Sequence, residues 1–493
     1  MNYFCIKMFF MLKYKSIEED FMDNLEKTKK INFLDRYFHI SERGSTIGRE
    51  LIGGLIVFLA MIYILPVNTN ILSTGMGISS GAVFAATAIC SAACTIFMGI
   101  FAKFPVALSA GMGMNTFIAF TVCGILGYTW GEALTLIVIA GILFFILTLT
   151  PLREKIINAI PKSLKLIISA GLGAFICFVG LKMGGIIQAD SGTFVKLGNL
   201  TSPTVLLTLF GILLVLFLLN FKNPTIKKLA IVIAMAATAI IGVILGLLNV
   251  EGMPTFSTNN LGNISEIKET FGTCFKVENL KVLGDFRSYA IIFSLIFVNL
   301  FDTTATLLAV GKDAKILDEN GQMIGGKKAM LADAGGAIIC GILGTSTVTS
   351  FAESTIGVES GARTGLCSTF TGILFGLTLL IYPAFSIFAP VQIGADSLTP
   401  ITSLALVALG AMMFSNLKEI DWDDKIIVFT GFISIILMIL CYSISDGLGF
   451  GIIAYCIMML GAGRGKEVHP LIYGIGCFYV LNFALSAIIP LLK

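Results

Sequence analysis

The sequence predicts an all-α polytopic membrane protein with about 14 transmembrane segments in two inverted seven-segment repeats. Three observations predict this fold. Of the 493 residues, 56% are hydrophobic and 13% are charged, whereas soluble domains carry about twice that share of charge. The apolar runs are long enough to cross a bilayer, and short charged loops separate them. Two runs, at corresponding positions in the two halves, are interrupted by short extended pieces, as in many secondary transporters.

The apolar runs define the predicted segments. In chain order they cover 51–65, 80–102, a broken third crossing after 104, 130–150, 161–184, 203–221, 227–249, 287–311, 329–344, a broken tenth crossing within 344–363, 364–388, 397–416, 424–463 and 469–490. The run 424–463 is too long for one straight span and is broken at Ser445-Asp446-Gly447. The count is therefore 14 or 15, which leaves the side of the C-terminus open. Seven spans per half give the two halves opposite orientations.

The flanking regions predict how the chain sits in the membrane. Residues 1–45 are mostly polar, and their apolar patch at Phe4–Leu12 is too short for a signal peptide or a span. We expect a cytoplasmic N-terminal extension, with Met22 as an alternative start. Basic residues flank the loops after the fourth and sixth segments, which places those loops and the N-terminus in the cytoplasm. The polar loop 251–286 is then extracytoplasmic.

The broken tenth crossing, Gly344-TSTVTSFAESTIGVESGART-Gly365, has the clearest polar signal. Its first part, Thr345–Phe351, is rich in Ser, Thr and Val and is predicted to be extended. A short helix is expected from Thr355 toward Arg363, with Glu353 at its start. There a carboxylate and free backbone N–H groups meet near mid-membrane. The alternative is that Glu353 only caps this helix, but an intramembrane acid is costly to keep without a function.

Local pairing is predicted at the other end of this half-helix. Glu359 and Arg363 are four residues apart and are expected to form a structural ion pair.

The broken third crossing is the partner of the tenth. Pro105, Gly111 and Gly113 interrupt it, so extended chain followed by a half-helix is expected. Asn115 is its notable polar side chain, because only Lys103 and Glu132 carry charge between 51 and 150. Asn115 is expected either to line a site or to bond a neighbouring helix.

The eighth segment contains one charge, Asp302. Asn299, Asp302 and Thr306 recur at helical spacing and are predicted to share one polar face. A lone acid in a span is expected to point into the helix bundle.

Cysteine and histidine exclude several kinds of chemistry. The 11 cysteines are scattered without a metal-ligand pattern, so we expect no disulfide, no metal and no cofactor. Cys90 and Cys94 share a helix face and are expected to be helical core. The two histidines lie beside span ends, so proton chemistry inside the membrane must use carboxylates. Nothing supports nucleic-acid binding or an enzyme, since neither a nucleophile–base pair nor a metal set occurs at depth.

Several motifs within 46–490 carry a family resemblance. They are Gly111-Met-Gly-Met-Asn115, Ile160-Pro-Lys-Ser-Leu-Lys165, Gly180-Leu-Lys-Met-Gly-Gly-Ile186, Phe301-Asp-Thr-Thr-Ala-Thr-Leu307, and the Glu353-Ser, Gly357-Val and Gly361-Ala-Arg-Thr-Gly365 parts of the tenth crossing. In these the chain resembles the nucleobase:cation symporter-2 family, in its guanine/hypoxanthine (azaguanine-sensitive) permease branch. Ala305 and Asn299 stand where this branch usually has glycine and an acidic residue.

The resemblance implies a domain organisation. A core domain holds segments 1–4 (46–150) and 8–11 (287–388), and a gate domain holds segments 5–7 (151–250) and 12–14 (389–493). Members often move substrate with protons, and several proteins of this fold are dimers, so a homodimer in the lipid bilayer of the cell membrane is expected.

The resemblance also implies site residues. Asp302 and Glu353 match the family's paired carboxylates, which hold the base, and Asn115 matches its third-segment site residue. We count Thr306, Ser354 and Phe351 with them as substrate-binding, and Phe117 or Phe301 is an alternative stacking ring.

A purine suits these groups chemically. A carboxylate such as Glu353 accepts two parallel bonds from the N–H edge of guanine, while half-helix N–H groups serve the O6 acceptor. Desolvation favours the neutral form of an acid, so Asp302 or Glu353 is expected to carry the coupled proton.

The expected function is import of guanine and/or hypoxanthine, with adenine as a further candidate, by proton symport and an elevator-type movement. The alternative is transport of another nucleobase, such as uracil or xanthine, or of another small solute on the same fold. An anion transporter would need a basic residue where Asp302 or Glu353 stands, and a channel would need a ring of like charges.

Overall fold

The computed structural model describes residues 33–254, 263–316, 323–394 and 396–488, and these are mainly helical. Among them, eight helices are long and apolar enough to cross a membrane, and four shorter apolar helices accompany them. Most of the predicted N-terminal extension, including Phe4–Leu12 and Met22, lies outside the described residues.

The helices follow the predicted segments. Segments 1 to 12 contain the helices Ile47–Met76, Ser80–Ala102, Met112–Ile125, Trp130–Leu149, Lys162–Met183, Pro203–Leu219, Ala230–Leu247, Arg287–Asp313, Gly326–Leu343, Ser354–Glu359, Gly365–Phe388 and Ser403–Phe414, and the helices Lys425–Leu440, Ile444–Gly461 and Pro470–Ile488 come after them. The polytopic helical fold with two broken segments is therefore confirmed.

The ambiguous run 424–463 contains two helices, which resolves the alternative left open by the sequence. The first ends at Leu440, and Tyr442 in the connection has a positive φ of 53°. Ser443 then begins the second helix by accepting a hydrogen bond from the Asp446 amide at 3.2 Å. A serine cap with an acid in the first turn is a favourable helix start. The break lies at 441–443, a few residues before the predicted 445–447, which belong to the first turn of the second helix.

Two extended pieces meet in the centre of the fold. Strand β1 (Leu108–Ala110) pairs antiparallel with β4 (Val348–Ser350), and Ser109 is opposite Thr349. Every residue of both strands is buried. Because each strand precedes a half-helix, the pairing brings the starts of both half-helices to one place. The predicted extended pieces in segments 3 and 10 are thus confirmed.

Two further hairpins lie in loops. Strand β2 (Ile187–Asp190) pairs with β3 (Phe194–Leu197) after segment 5, and β5 (Val391–Ile393) pairs with β6 (Asp396–Leu398) after segment 11.

The helices pack in two groups. In the first helix group, made of segments 1–4 and 8–11, segment 11 packs against segments 1 and 2, and segment 4 packs against segments 8 and 9. In the second helix group, made of segments 5–7 and the helices from Ser403 onward, segment 5 packs against segment 12 and Lys425–Leu440, and segment 6 packs against segment 7. The β1–β4 pair belongs to the first helix group.

The expectation of no disulfide was wrong. Cys90 in segment 2 and Cys340 in segment 9 form a disulfide, with their Cα atoms 5.8 Å apart. The Cys94 Sγ lies 3.8 Å from that of Cys90, and all three side chains are buried. The two bonded cysteines are separated by 250 residues, so only the packing of the two halves brings them together.

The expected Glu359–Arg363 pair was also wrong. Glu359 instead forms an ion pair with Lys228, which precedes segment 7. The Arg363 guanidinium donates to the carbonyl groups of Val358 and Ala362 at 2.5 and 2.8 Å. The half-helix ends at Glu359, so Arg363 does not lie one helical turn beyond it on the same helix. Each side chain therefore bonds to another partner.

A buried carboxylate that the sequence analysis did not single out closes the end of segment 10. The Glu50 side chain, 0% exposed, accepts hydrogen bonds from the backbone N–H groups of Arg363, Thr364 and Cys367 at 2.7, 3.3 and 3.3 Å. These amides belong to the turn before segment 11 and to its first residues. Glu50 in segment 1 thus supplies the cap for a helix start in the other half of the chain.

We therefore expect Glu50→Ala to destabilise the protein strongly. The change leaves three buried N–H groups without their acceptor, and each such group costs about 1–3 kcal/mol. The measurement is the thermal unfolding midpoint of the purified protein in detergent. Glu42→Ala is the matched control, because Glu42 is 76% exposed and its partner among the described residues is His39. Equal midpoints for the two variants would contradict the assigned role of Glu50.

Candidate substrate site

A cavity of about 750 Å³ lies between the two helix groups, beside the β1–β4 pair. Its wall from the first helix group contains both acids singled out by the sequence, Asp302 and Glu353, together with Thr306 and Phe351. Its wall from the second helix group is mostly apolar, with residues such as Leu172, Ile176, Leu409, Met412 and Met413. The polar side chains of this wall are Ser169, Asn416, Lys227 and Lys228. An apolar cavity with a few polar groups is typical of a small-molecule site.

Glu353 stands where the strand becomes the half-helix. It is half-buried, and the Tyr63 hydroxyl donates a hydrogen bond to its Oε1 at 2.7 Å. A carboxylate has about four acceptor positions, so Glu353 retains acceptor capacity toward the cavity. Tyr63 is 2% exposed and lies in segment 1, so it fixes the carboxylate from behind. The sequence analysis missed Tyr63, whose role depends on a contact between segments.

The predicted row of free donors at this half-helix is wrong in part. The Ser354 and Thr355 amides donate to the carbonyl groups of Phe351 and Ala352 at 3.2 and 2.9 Å. The start of the helix is wound tightly enough to use these donors itself. The Glu353 side chain makes no capping bond to the helix, so the capping alternative does not hold in this structure either.

Asp302 faces the same cavity from segment 8. It is half-buried and lies within electrostatic range of Glu353 and Asp333. Among the described residues, none donates a hydrogen bond to its carboxyl group. Thr306, one turn further along, lines the same cavity, but Asn299 lines a separate small cavity instead. The predicted polar face is thus shared by Asp302 and Thr306 only.

Asp333 is a third acid, which the sequence analysis missed. It is 0% exposed and accepts hydrogen bonds from Thr303 at 2.8 Å and from Ser350 at 3.1 Å. Asp333 therefore joins the residue after Asp302 to the last residue of β4. Arg153 lies within electrostatic range of it. The signal was present, since an acid in the apolar segment 9 is unusual for the same reason as Asp302.

Two of the six residues predicted to bind substrate do not line the cavity. Asn115 is buried and donates to the Oδ1 of Asn68 at 2.7 Å, which matches the alternative that it bonds a neighbouring helix. Ser354 is buried, and its hydroxyl accepts the Ala107 amide at 3.0 Å. Both side chains hold the broken segments in place, and neither lines this cavity.

The aromatic candidates separate as well. Phe351 lines the cavity, whereas Phe117 is 2% exposed within the hydrophobic core. Phe301 packs edge-on against Phe297, with ring centroids 4.8 Å apart, and lines a different cavity. Phe351 is therefore the ring available for stacking in the site.

The arrangement suits a neutral, flat and polar molecule. Two carboxyl groups supply acceptors, Thr306 supplies a hydroxyl, and Phe351 supplies an aromatic surface. The mostly apolar opposite wall offers few partners to a polar edge of the ligand, so an edge that the two acids leave unpaired is costly.

Solved structures share this architecture. The transmembrane domain of the cyanobacterial bicarbonate transporter BicA matches with a TM-score of 0.53 at 14% identity, covering 81% of this chain and 97% of that one. At this identity the likeness concerns the fold alone.

Sequence relatives are much closer. The guanine/hypoxanthine permease PbuG of Bacillus subtilis is 39% identical over 455 residues, which cover 91% of this chain and 98% of that protein. The adenine permease AdeQ of Escherichia coli is 33% identical over 452 residues, covering 92% of this chain and 96% of that protein. Residues 48–450 match the Permease family. The chain therefore belongs to this permease family of multi-pass membrane transporters, and the resemblance to the guanine/hypoxanthine branch of the nucleobase:cation symporters is confirmed.

Proposed function

We propose that this permease imports purine nucleobases, guanine and/or hypoxanthine with adenine as a further candidate, across the cytoplasmic membrane by proton symport. One observation carries the proposal. Asp302 of segment 8 and Glu353 of the broken segment 10 line the same cavity beside the β1–β4 pair. The names of relatives over nearly the whole chain, guanine/hypoxanthine permease and adenine permease, support a purine.

Glu353 is the primary base-binding group in this proposal. Its carboxylate is held by Tyr63 and accepts in-plane N–H groups of the base, with Phe351 against the ring. Asp302 completes the site from segment 8. Hydrogen bonds to a charged group contribute about 1.5–3 kcal/mol each, so the edge of the base that meets Glu353 decides specificity.

Asp302 is also the proposed proton carrier. Its carboxyl group receives no hydrogen bond from the described residues and lies within electrostatic range of two other acids. Because like charges repel strongly in an apolar site, adding one proton there relieves the repulsion. We assign part of the proton coupling to Glu353 as well, because it binds the base in the same cavity in which Asp302 carries the proton.

Alternating access is proposed to occur between the two helix groups, with the first as the moving core and the second as the gate. The cavity lies between them, and the Lys228–Glu359 ion pair joins them at its rim. From the basic loops at this rim we infer that it faces the cytoplasm, as we expect for the N-terminus. An exposed pair of this kind contributes about 0–1 kcal/mol, so it permits movement.

The alternatives are another nucleobase, such as uracil or xanthine, or another small solute on the same fold. BicA is named a bicarbonate transporter, but in the present cavity the two acids beside the half-helix disfavour an anion. The deciding test is a substrate panel.

We expect labelled hypoxanthine uptake into cells or vesicles containing this protein to be competed by guanine. Uracil should compete poorly, because its single ring has less surface to stack on Phe351 than a fused purine has. A protonophore should stop accumulation, since it removes the driving force. Accumulation that resists the protonophore but requires sodium would show that sodium, and not the proton, is the coupled ion. Competition by uracil alone would show that the substrate is a pyrimidine and not a purine.

Glu353→Gln should weaken purine binding by at least about 100-fold, because an amide replaces two charge-assisted acceptors. Binding is measured by calorimetry or by competition on the purified protein, with membrane levels checked. Glu359→Gln is the matched control on the same half-helix and should change affinity by no more than about fivefold, since it loses only the pair with Lys228. Wild-type affinity in Glu353→Gln would remove Glu353 from the site.

Asp302→Asn should abolish proton-driven accumulation while leaving measurable purine binding. The asparagine keeps the shape but cannot release a proton. The measurement is uptake into proteoliposomes at several imposed pH gradients, with Asp313→Asn as the control at the exposed end of the same helix. If Asp302→Asn still responds to the gradient as the unaltered protein does, the coupling proton is carried elsewhere.

A further inference from the structure

A polar pair interrupts the mostly apolar wall that faces the two acids. The Asn416 Nδ2 donates a hydrogen bond to the Ser169 hydroxyl oxygen at 2.9 Å, and both half-buried side chains line the large cavity. Ser169 belongs to segment 5, and Asn416 lies in the short helix Ser415–Glu419 that follows segment 12. Both residues therefore belong to the second helix group, whereas Asp302 and Glu353 belong to the first.

Asp302 and the polar pair border the same region of the cavity. A smaller space of about 340 Å³ adjoins the large cavity and is lined in part by the same residues. The residues that line both are Ser169, Leu172, Asp302, Ala305, Met413 and Asn416. The acid and the pair thus approach this region from opposite helix groups. A flat ligand bound by the acids has its far edge toward the pair.

Close packing of segments 5 and 12 fixes the pair in place. At Gly173, one turn beyond Ser169, an added methyl carbon would lie 2.7 Å from the Gly410 carbonyl oxygen. Glycine, which has no Cβ, is required for this approach. The two helix backbones are thus in contact without any help from Ser169 and Asn416. Because the pair is held by rigid elements, binding to it costs little ordering entropy.

The pair retains unused hydrogen-bonding groups. Asn416 makes its one hydrogen bond to the described residues through Nδ2, which leaves its Oδ1 and its second Nδ2 hydrogen. The Oδ1 is not fully buried, so it is open to a ligand. Ser169 accepts the bond from Asn416 and keeps its own hydroxyl hydrogen as a donor.

The other polar side chains of this wall cannot replace the pair. They are Lys227 and Lys228, whose ammonium groups donate hydrogen bonds but cannot accept them. Asn416 and Ser169 are therefore the side chains of this wall that offer an acceptor beside a donor.

We propose that Ser169 and Asn416 form a specificity-determining subsite for the five-membered ring of a purine. The inference rests on the proposed function, in which Glu353 accepts N–H groups of the six-membered ring. A planar base held at that edge turns its five-membered ring toward the second helix group. This ring has an acceptor nitrogen, N7, and a nitrogen that carries a hydrogen, N9.

The two groups of the subsite complement these two nitrogens. The Ser169 hydroxyl donates to N7, and the Asn416 Oδ1 accepts the N9 hydrogen. A pyrimidine lacks this edge altogether, and a nucleoside lacks the N9 hydrogen. The subsite thus selects free purine bases from the wall that does not carry the acids, and it leaves polar groups unpaired when another solute binds.

The test combines altered bases with altered side chains. In 7-deazaguanine a CH group replaces N7, so the acceptor is lost with little change in shape. In 1-methylguanine the N1 hydrogen, which Glu353 accepts in the proposed function, is lost instead. Guanine and each compound compete with labelled hypoxanthine for uptake into vesicles containing the protein. The ratio of a compound's inhibition constant to that of guanine then measures the contribution of one edge of the base.

For the unaltered protein both ratios should be about ten or more, because each compound leaves a polar group of the site unpaired. In the double variant Ser169→Ala/Asn416→Leu, the ratio for 7-deazaguanine should fall to about one to two, while that for 1-methylguanine should remain about ten or more. A merely structural role of the pair would lower both ratios together. Ser169→Ala alone should lower the first ratio by at least about threefold, and it replaces the double variant if that protein does not reach the membrane.

Ser415→Ala is the matched control. Ser415 is exposed, donates to the Met412 carbonyl at 2.6 Å and does not line the cavity, so both ratios should stay as in the unaltered protein. A ratio near one for 7-deazaguanine in the unaltered protein would overturn the inference. An unchanged ratio in the Ser169→Ala and double variants, or a parallel fall of both ratios, would overturn it too. Absence of competition by guanine in the unaltered protein would instead refute the proposed function.

Discussion

The pairing of β1 with β4 is the interaction on which the rest of the structure depends. Extended backbone inside a bilayer leaves N–H and C=O groups that lipid cannot satisfy. Each of these three-residue strands pairs with the other, so each half of the chain satisfies the other half. The site therefore exists only when both halves have folded together. The pairing also sets where each half-helix begins and hence where Glu353 stands.

Local signals were sufficient to predict the outline of this site. The proline and glycine breaks after 104 and the Ser/Thr-rich stretch before Glu353 identified both broken segments, because such residues cannot continue an apolar helix without a reason. The cost of an intramembrane acid identified Asp302 and Glu353. The same cost applies to Asp333, so the sequence held that signal too, and it was overlooked.

The remaining features depend on contacts that no local pattern encodes. Tyr63 reaches Glu353 from a segment 290 positions away, and Glu50 caps a helix start more than 300 positions away. The Cys90–Cys340 disulfide has the same origin. Asn115 and Ser354 were correctly placed in the broken segments, but helical spacing does not say which neighbour a polar side chain meets. Here both meet protein and not the cavity.

The likeness to BicA shows how little the fold alone constrains the cargo. One architecture, with a TM-score of 0.53 between the two chains, occurs in a protein named a bicarbonate transporter and in this permease. The scaffold supplies paired strands and half-helices at a central cavity, and the side chains placed there determine the ligand. In the present chain those side chains include acids, and the acids differ in their hydrogen-bond partners. Tyr63 donates a hydrogen bond to Glu353, Thr303 and Ser350 donate to Asp333, and no described residue donates to Asp302, which lines the large cavity. A buried acid is costly to ionise without a partner, and for this reason our proposal of proton symport assigns the proton to Asp302.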